Sequence, residues 1–293
     1  MVNIRNDLKE LMNRNGYTIN FVATAIGVAK STVSMWINGT YKGDNSRITD
    51  KINNFLQREN ERPHDKDTPI VETTIIKYIF EIGRLCHTTG KIGVCVGRAG
   101  LGKTVAVKEY TKEFLDAILI ESDSGYTAKS LLLEIHKRLG LSGKGCVYDL
   151  MNEVVNKLNN SGRLLIIDEA ENLPYRALEL TRRIHDKTGI GVLLIGRNIL
   201  LENLRGSKNQ YDQLYSRVKY HKKLDKLITE DIEKILNASG QDPELAECYL
   251  LYSNGNTRLL DHLISHSITV AKANGKPEVD SAVIKQTSKM LMA

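Results

Sequence analysis

The residues best suited to chemistry lie together at 97–104, "GRAGLGKT". Gly97, Gly102, Lys103 and Thr104 occupy the fixed positions of G-x-x-x-x-G-K-[ST], with Arg98, Ala99, Gly100 and Leu101 between them and Val105 following. That spacing is a phosphate cradle. Glycines let the backbone close around a phosphate so that successive N–H groups point at it. Lys103 then places a positive charge at the β- and γ-phosphates, and the Thr104 hydroxyl is a ligand for Mg²⁺. A second group closes the apolar run "RLLIIDEAENL" (163–173). Asp168 can hold the same Mg²⁺ through its water shell, and Glu169 can take a proton from an attacking water. Together the two groups predict ATP binding and Mg²⁺-dependent hydrolysis.

Such side chains need rigid carriers. Short apolar runs, "IGVCV" (92–96), "AILIE" (117–121), "LLIID" (164–168) and "GVLLIG" (191–196), alternate with helical stretches between about residues 73 and 223. Unbroken apolar strands separated by helices imply a parallel sheet covered on both faces. The loop at 97–104 follows one such strand and opens the helix "TVAVKEYTKEFL", so the helix N-terminus also faces the phosphates. From 224 to 293 the chain reads as all helix.

The first sixty residues read differently, as four short helices. Ala23, Gly27, Val28, Val33 and Trp36 have the spacing of a helix-turn-helix: a small residue at the crossing, a glycine in the turn and apolar anchors inside. Lys30, Ser31, Thr32, Ser34 and Met35 would then face a DNA major groove. No Arg or Asn–Gln pair stands there for strong base reading, so specificity should be modest. A polar, charged linker, "ENERPHDKDTP", joins this head to the rest. The expected division is 1–60, head; 61–72, linker; 73–223, ATPase core; 224–293, helical lid.

Composition excludes several classes. With 41% apolar and 26% charged residues the chain has a globular profile, and no apolar run is long enough to cross a membrane. The N-terminal "MVNIRNDLKEL" lacks the apolar core of a signal peptide. The four cysteines, Cys86, Cys95, Cys146 and Cys248, have no zinc-like spacing. A net charge of +6 is compatible with an anionic partner and decides nothing alone.

The acidic pair, the strand after it and the helical tail resemble the AAA+ class of ATPases: a P-loop core with a parallel sheet, here preceded by an all-α helix-turn-helix domain and followed by an α-helical lid. That resemblance implies further site residues. In "GRN" a polar sensor of the γ-phosphate would be Asn198, with Arg197 as the other candidate. In "QLYSRVKYH", Arg217 would reach a neighbouring subunit's nucleotide, with Arg205 as runner-up. In "NGNTRLLDHL", Arg258 would reach the phosphates from the lid.

The whole arrangement resembles one family within that class, the Mu B-like transposition ATPases. The likeness is carried by "INGTYKGDN", "VETTIIKYI", "GRAGLGKT", "IIDEAENL", "TGIGVLLIG", "LYSRV" and "NTRLLDHL". It implies ATP-dependent filaments on duplex DNA of almost any sequence, delivery of that DNA to a transposase, and work in the bacterial host cytoplasm. Candidate phosphate-backbone contacts in the core are Lys129, Lys144, Arg182 and Arg183, with Lys137 and Arg138. Two rival readings share the core: an ATP-switched, sequence-specific regulator and a helicase loader or replication initiator.

Overall fold

The computed structural model describes residues 2–61, 69–206 and 212–291. The chain divides into two compact units, Met1–Lys66 and Asp67–Ala293. Residues 62–68 of the expected linker lie outside the described residues.

The first unit is four helices: α1 (Val2–Asn15), α2 (Ile19–Ile26), α3 (Lys30–Ile37) and α4 (Asn45–Glu61). Thr18 caps α2 by accepting the Phe21 N–H. Gly27 ends the helix at φ +66°, ψ +52°, a left-handed conformation in which a Cβ would be strained. The chain therefore turns sharply, and the Val28 N–H bonds back to the Ala23 carbonyl at 3.0 Å. Val33 and Trp36 anchor α3 in a core with Leu8, Val22, Ile52 and Phe55. The Trp36 indole N–H donates to Thr49 Oγ1 at 3.2 Å, and the Arg5 guanidinium stands 5.3 Å from the ring centre. Lys30, Ser31 and Met35 face outward, while Thr32 and Ser34 are half-buried.

The second unit opens with α5 (Thr74–Thr89) and then alternates strands and helices. The strands are β1 (Ile92–Val96), β2 (Ile118–Glu121), β3 (Leu164–Asp168), β4 (Gly191–Gly196) and β5 (Val218–Lys223). They form one parallel sheet in the order β2-β3-β4-β1-β5. Every residue of β1, β3 and β4 is buried, which is why these three strands read as unbroken apolar runs. The helices between them are α6 (Lys103–Glu113), α7 (Ala128–Leu139), α8 (Val147–Leu158), α9 (Tyr175–Thr188), α10 (Ile199–Arg205) and α11 (Asp212–Tyr215). On one face Ile92, Val94 and Val96 meet Leu131, Leu150 and Leu178 of α7, α8 and α9.

The tail helices are α12 (Thr229–Ala238), α13 (Ala246–Ser253), α14 (Thr257–Ala273) and α15 (Ser281–Ser288). Ile232, Tyr249, Leu260 and Leu263 join the core on the opposite face, with Cys95, Leu193 and Ile195 of the sheet. The tail helices are thus packed into the second unit rather than appended to it.

β5 was not among the strands expected from the sequence. It is an edge strand, paired to β1 alone, and so carries alternating half-buried and exposed residues. Lys219, His221 and Lys223 are exposed. Tyr220 OH is 3.3 Å from Thr89 Oγ1, and Lys222 Nζ stands 3.4 Å from the centre of the Tyr78 ring. Lysines on such a strand hide its β character from a reading based on apolar runs.

Candidate active site

In a parallel sheet, ligands bind at the carboxyl ends of the strands. Here β1 runs into the 97–104 loop and β3 ends at Asp168, with β4 lying between them. Neighbouring strands are about 4.8 Å apart, so the ends of β1 and β3 stand two such spacings apart, with the end of β4 between them. A cavity of about 660 Å³ occupies that edge, a size that suits a nucleotide.

The loop has the geometry its composition requires. Gly100 and Gly102 have φ of +77° and +79°, and α6 starts directly after Gly102. Lys103 Nζ donates to the carbonyls of Gly97 at 2.9 Å and Arg98 at 2.7 Å. Burial pushes the Lys103 pKa down, opposed by the carboxylates of Asp168, Glu171 and Glu169. Ala99, Gly100, Leu101, Gly102, Lys103, Thr104, Val105 and Asp168 all line the cavity. Gly97 and Arg98, expected as direct nucleotide contacts, do not. Gly97 packs where a Cβ would lie 3.0 Å from Leu101 and Leu224 side chains, and Arg98 is exposed. Both serve through the carbonyls that hold Lys103.

The acidic side is equally ordered. Asp168 is 1% exposed. Its Oδ2 accepts from Thr104 Oγ1 at 2.6 Å and its Oδ1 from the Glu169 N–H at 2.9 Å. Burial raises the Asp168 pKa against those bonds and against Lys103. Thr104 and Asp168 thus bring two hard oxygens to one point beside the loop, the donor set that Mg²⁺ prefers. Glu169 stands in the left-handed region at φ +52°, ψ +34°, unusual for a side chain of its size. Ser122 Oγ donates to the Asp168 and Glu169 carbonyls at 3.0 and 2.9 Å. Asn172 Nδ2 donates to Glu169 Oε2 at 3.1 Å, which aims the carboxylate.

At the end of β4 the cavity is lined by Arg197 and not by Asn198. Gly196 is the last strand residue, so the next residue falls between loop and acids, whereas Asn198 already turns with α10 at φ −54°, ψ −30°. The preference for Asn198 is corrected on that ground. Arg197 Nε bonds Glu171 Oε1 at 2.8 Å, and the Glu171 side chain is 5% exposed. Neither Glu171 nor Asn172 was singled out from the sequence, although "DEAEN" displays both beside the acidic pair.

The three lid and interface arginines separate. Arg258 lines the cavity. Arg217 does not; it is about half exposed and its Nε bonds Asp186 Oδ1 at 3.2 Å. Arg205 donates to Tyr215 OH at 2.7 Å. Among the proposed DNA contacts, Lys129 and Lys144 are exposed. Arg182 is withdrawn from that group: its side chain is 13% exposed and is held by Glu179 and Asp186 of its own helix. Arg183 is exposed with Nε 3.1 Å from Glu179, and Arg138 and Lys137 pair with Glu134.

Sheet order, glycine loop and the Asp168–Glu169 pair at the end of β3, its aspartate buried and its glutamate exposed, are those of an AAA+ P-loop ATPase, here with a helix-turn-helix domain at the N-terminal end. The AAA domain family matches residues 86–204, and the helix-turn-helix family matches residues 8–42. Over nearly all its length the chain is similar to Mu B transposition proteins. It is 28% identical to the ATP-dependent target DNA activator B of Escherichia phage Mu over 287 residues, 94% of this chain and 90% of that protein. It is 27% identical to the Mu-like prophage FluMu DNA transposition protein B of Haemophilus influenzae, over 82% of this chain and 86% of that one. Among solved structures, the Aeropyrum pernix ORC2 protein shares the fold at a TM-score of 0.57 and 17% identity, covering 78% of this chain and 71% of its own.

Proposed function

We propose that this protein is an ATP- and Mg²⁺-dependent target DNA activator. In its ATP state it assembles as a helical filament on duplex DNA of little sequence preference, and it hands that DNA to a transposase. The observation that carries the reading is the span of the likeness to the phage Mu activator, which takes in head, core and lid together. The proposed working parts are the head at 1–60, the linker at 61–72, the core at 73–223 and the lid at 224–293. The proposed compartment is the cytoplasm of a bacterial host.

Each site residue has a proposed role. The loop amides and Lys103 bind the phosphates, and Thr104 and Asp168 hold Mg²⁺, which supplies charge neutralisation when bound. Glu169, aimed by Asn172, accepts the proton of the attacking water. Arg197 and Arg258 approach the phosphates from the strand end and the lid. Arg217, about half exposed and outside its own cavity, would exchange its bond to Asp186 for a neighbouring subunit's nucleotide. DNA meets Lys30, Ser31, Thr32 and Ser34 of the head, and Lys129, Lys144 and Arg183 of the core. Each contact is weak alone, and assembly multiplies them.

Electron microscopy of the protein with random-sequence duplex DNA tests the reading. Filaments are expected with ATP and absent without it; discrete dimers at one sequence would overturn it. Lys103→Ala should lose nucleotide binding and filaments together. Glu169→Gln should leave filaments that persist while turnover falls by roughly 10²–10⁴.

A further inference from the structure

The phosphate-loop motif leaves position 100 open, yet a glycine stands there. A Cβ on Gly100 would lie 2.5 Å from Asn256 Oδ1, so the lid comes closer to the loop than any side chain would permit. Asn256 immediately precedes α14, and its amide is divided between two tasks. The Oδ1 accepts the Leu259 N–H at 3.0 Å, capping the helix. The Nδ2 donates to the Ala99 carbonyl in the loop at 3.1 Å. Two residues on, the Arg258 backbone N–H donates to the Gly100 carbonyl at 3.1 Å. Thr257 lies over Gly102, 3.6 Å from where its Cβ would be.

These contacts bear on the loop's own amides. In a trans peptide the carbonyl and the following N–H point in opposite directions. Fixing the Ala99 and Gly100 carbonyls against α14 therefore fixes the Gly100 and Leu101 N–H groups pointing away from it. We propose that Asn256 is a positioning residue for nucleotide binding: its Nδ2 braces the phosphate loop in its binding form, so that lid docking and nucleotide affinity are one equilibrium. The proposal rests on the nucleotide site described above. It assigns to Asn256 a task separate from any phosphate contact by Arg258.

The divided amide allows the two tasks to be separated in the full-length protein. Serine is a competent helix cap but is too short to reach Ala99, and it adds no charge near the phosphates. Asn256→Ser should lower the melting temperature of the nucleotide-free protein only slightly, by the one bond to Ala99 that it gives up. Its Kd for ATP and ADP should rise about three- to tenfold, the usual worth of one such hydrogen bond. KM should rise by the same factor with kcat held, because the brace acts on ground and transition states alike. Asn256→Ala should show the same loss of affinity and a further fall in melting temperature, since it loses the cap too. Wild-type affinity in Asn256→Ser, or a loss of affinity that merely tracks melting temperature across the two variants, would overturn the brace. Lys103→Ala separates the two levels: if it binds ATP as wild type does, the site itself is misassigned.

Discussion

Ile52→Ala is a demanding test of how the chain is divided. Ile52 is fully buried in α4, against a core that includes Val33 and Trp36. Truncating a buried isoleucine costs about 2–5 kcal/mol, the methylene transfer plus the cavity left behind. A unit the size of Met1–Lys66 has about 3–10 kcal/mol of stability in total. The loss is therefore a large fraction of what the head possesses. For a unit of this size each kcal/mol moves Tm by about 4–8 °C, so a fall of roughly 8–40 °C is expected. The assay is supplied by composition. The chain has a single tryptophan, Trp36, buried in that same core, so its fluorescence follows the head alone while far-UV circular dichroism follows both units. The fluorescence midpoint should drop and the later dichroism transition should stay. ATP affinity, measured between the two midpoints, should match wild type. One coincident transition for both probes in both proteins, or affinity lost along with the fluorescence, would refute energetic independence.

Three further outcomes follow from the site. Asp168→Asn should lose the stabilisation that Mg²⁺ and ATP give the wild type, yet raise the Tm of the nucleotide-free protein at neutral pH. The sign follows from burial, which raises the folded-state pKa of Asp168: the ionised carboxylate opposes folding, and that cost is absent below the unfolded pKa and grows as pH rises through the folded one. The Tm advantage of the variant should accordingly shrink as pH falls into the carboxylate range, and an advantage independent of pH would contradict it. Gly196→Ala would place a Cβ 2.2 Å from Glu171 Oε2; it should displace the Glu171–Arg197 pair and lower kcat, with little change in ADP affinity by calorimetry. Arg182→Ala removes a guanidinium bonded to Glu179 and Asp186; it should lower Tm by a few degrees while the salt dependence of DNA binding stays unchanged, whereas Lys144→Ala should flatten that salt slope by about one unit.

Much of this molecule is legible in its residues because its central strands are buried on both faces. The apolar runs at 92–96, 164–168 and 191–196 coincide with β1, β3 and β4, since burial on both faces favours apolar side chains throughout, with Asp168 at the end of β3 as the functional exception. The loop is legible for a related reason: only glycine tolerates the backbone at positions 100 and 102. What escaped has the opposite character. β5 is half solvated, so its lysines conceal it. Arg197 and Glu171 lie 26 positions apart in sequence, and only the lateral order of the strands shows that the end of β4 falls between loop and acids. The bond from Asn256 to Ala99 spans 157 positions and depends on how the lid packs, which local patterning does not encode. The preference for Asn198 over Arg197 failed by one residue, because chemistry was weighed where strand register decides.

The edge strand β5 bears on how copies of this protein can meet. An open strand offers a row of unpaired amides and carbonyls to which another strand can add, and sheets growing that way join almost irreversibly. Lys219, His221 and Lys223 are exposed on that edge strand, and two such strands brought together would set the lysine charges of one against those of the other. Backbone zippering between copies is thereby disfavoured. Any contact between copies along β5 would then be left to side-chain surfaces, which can part without unravelling either sheet.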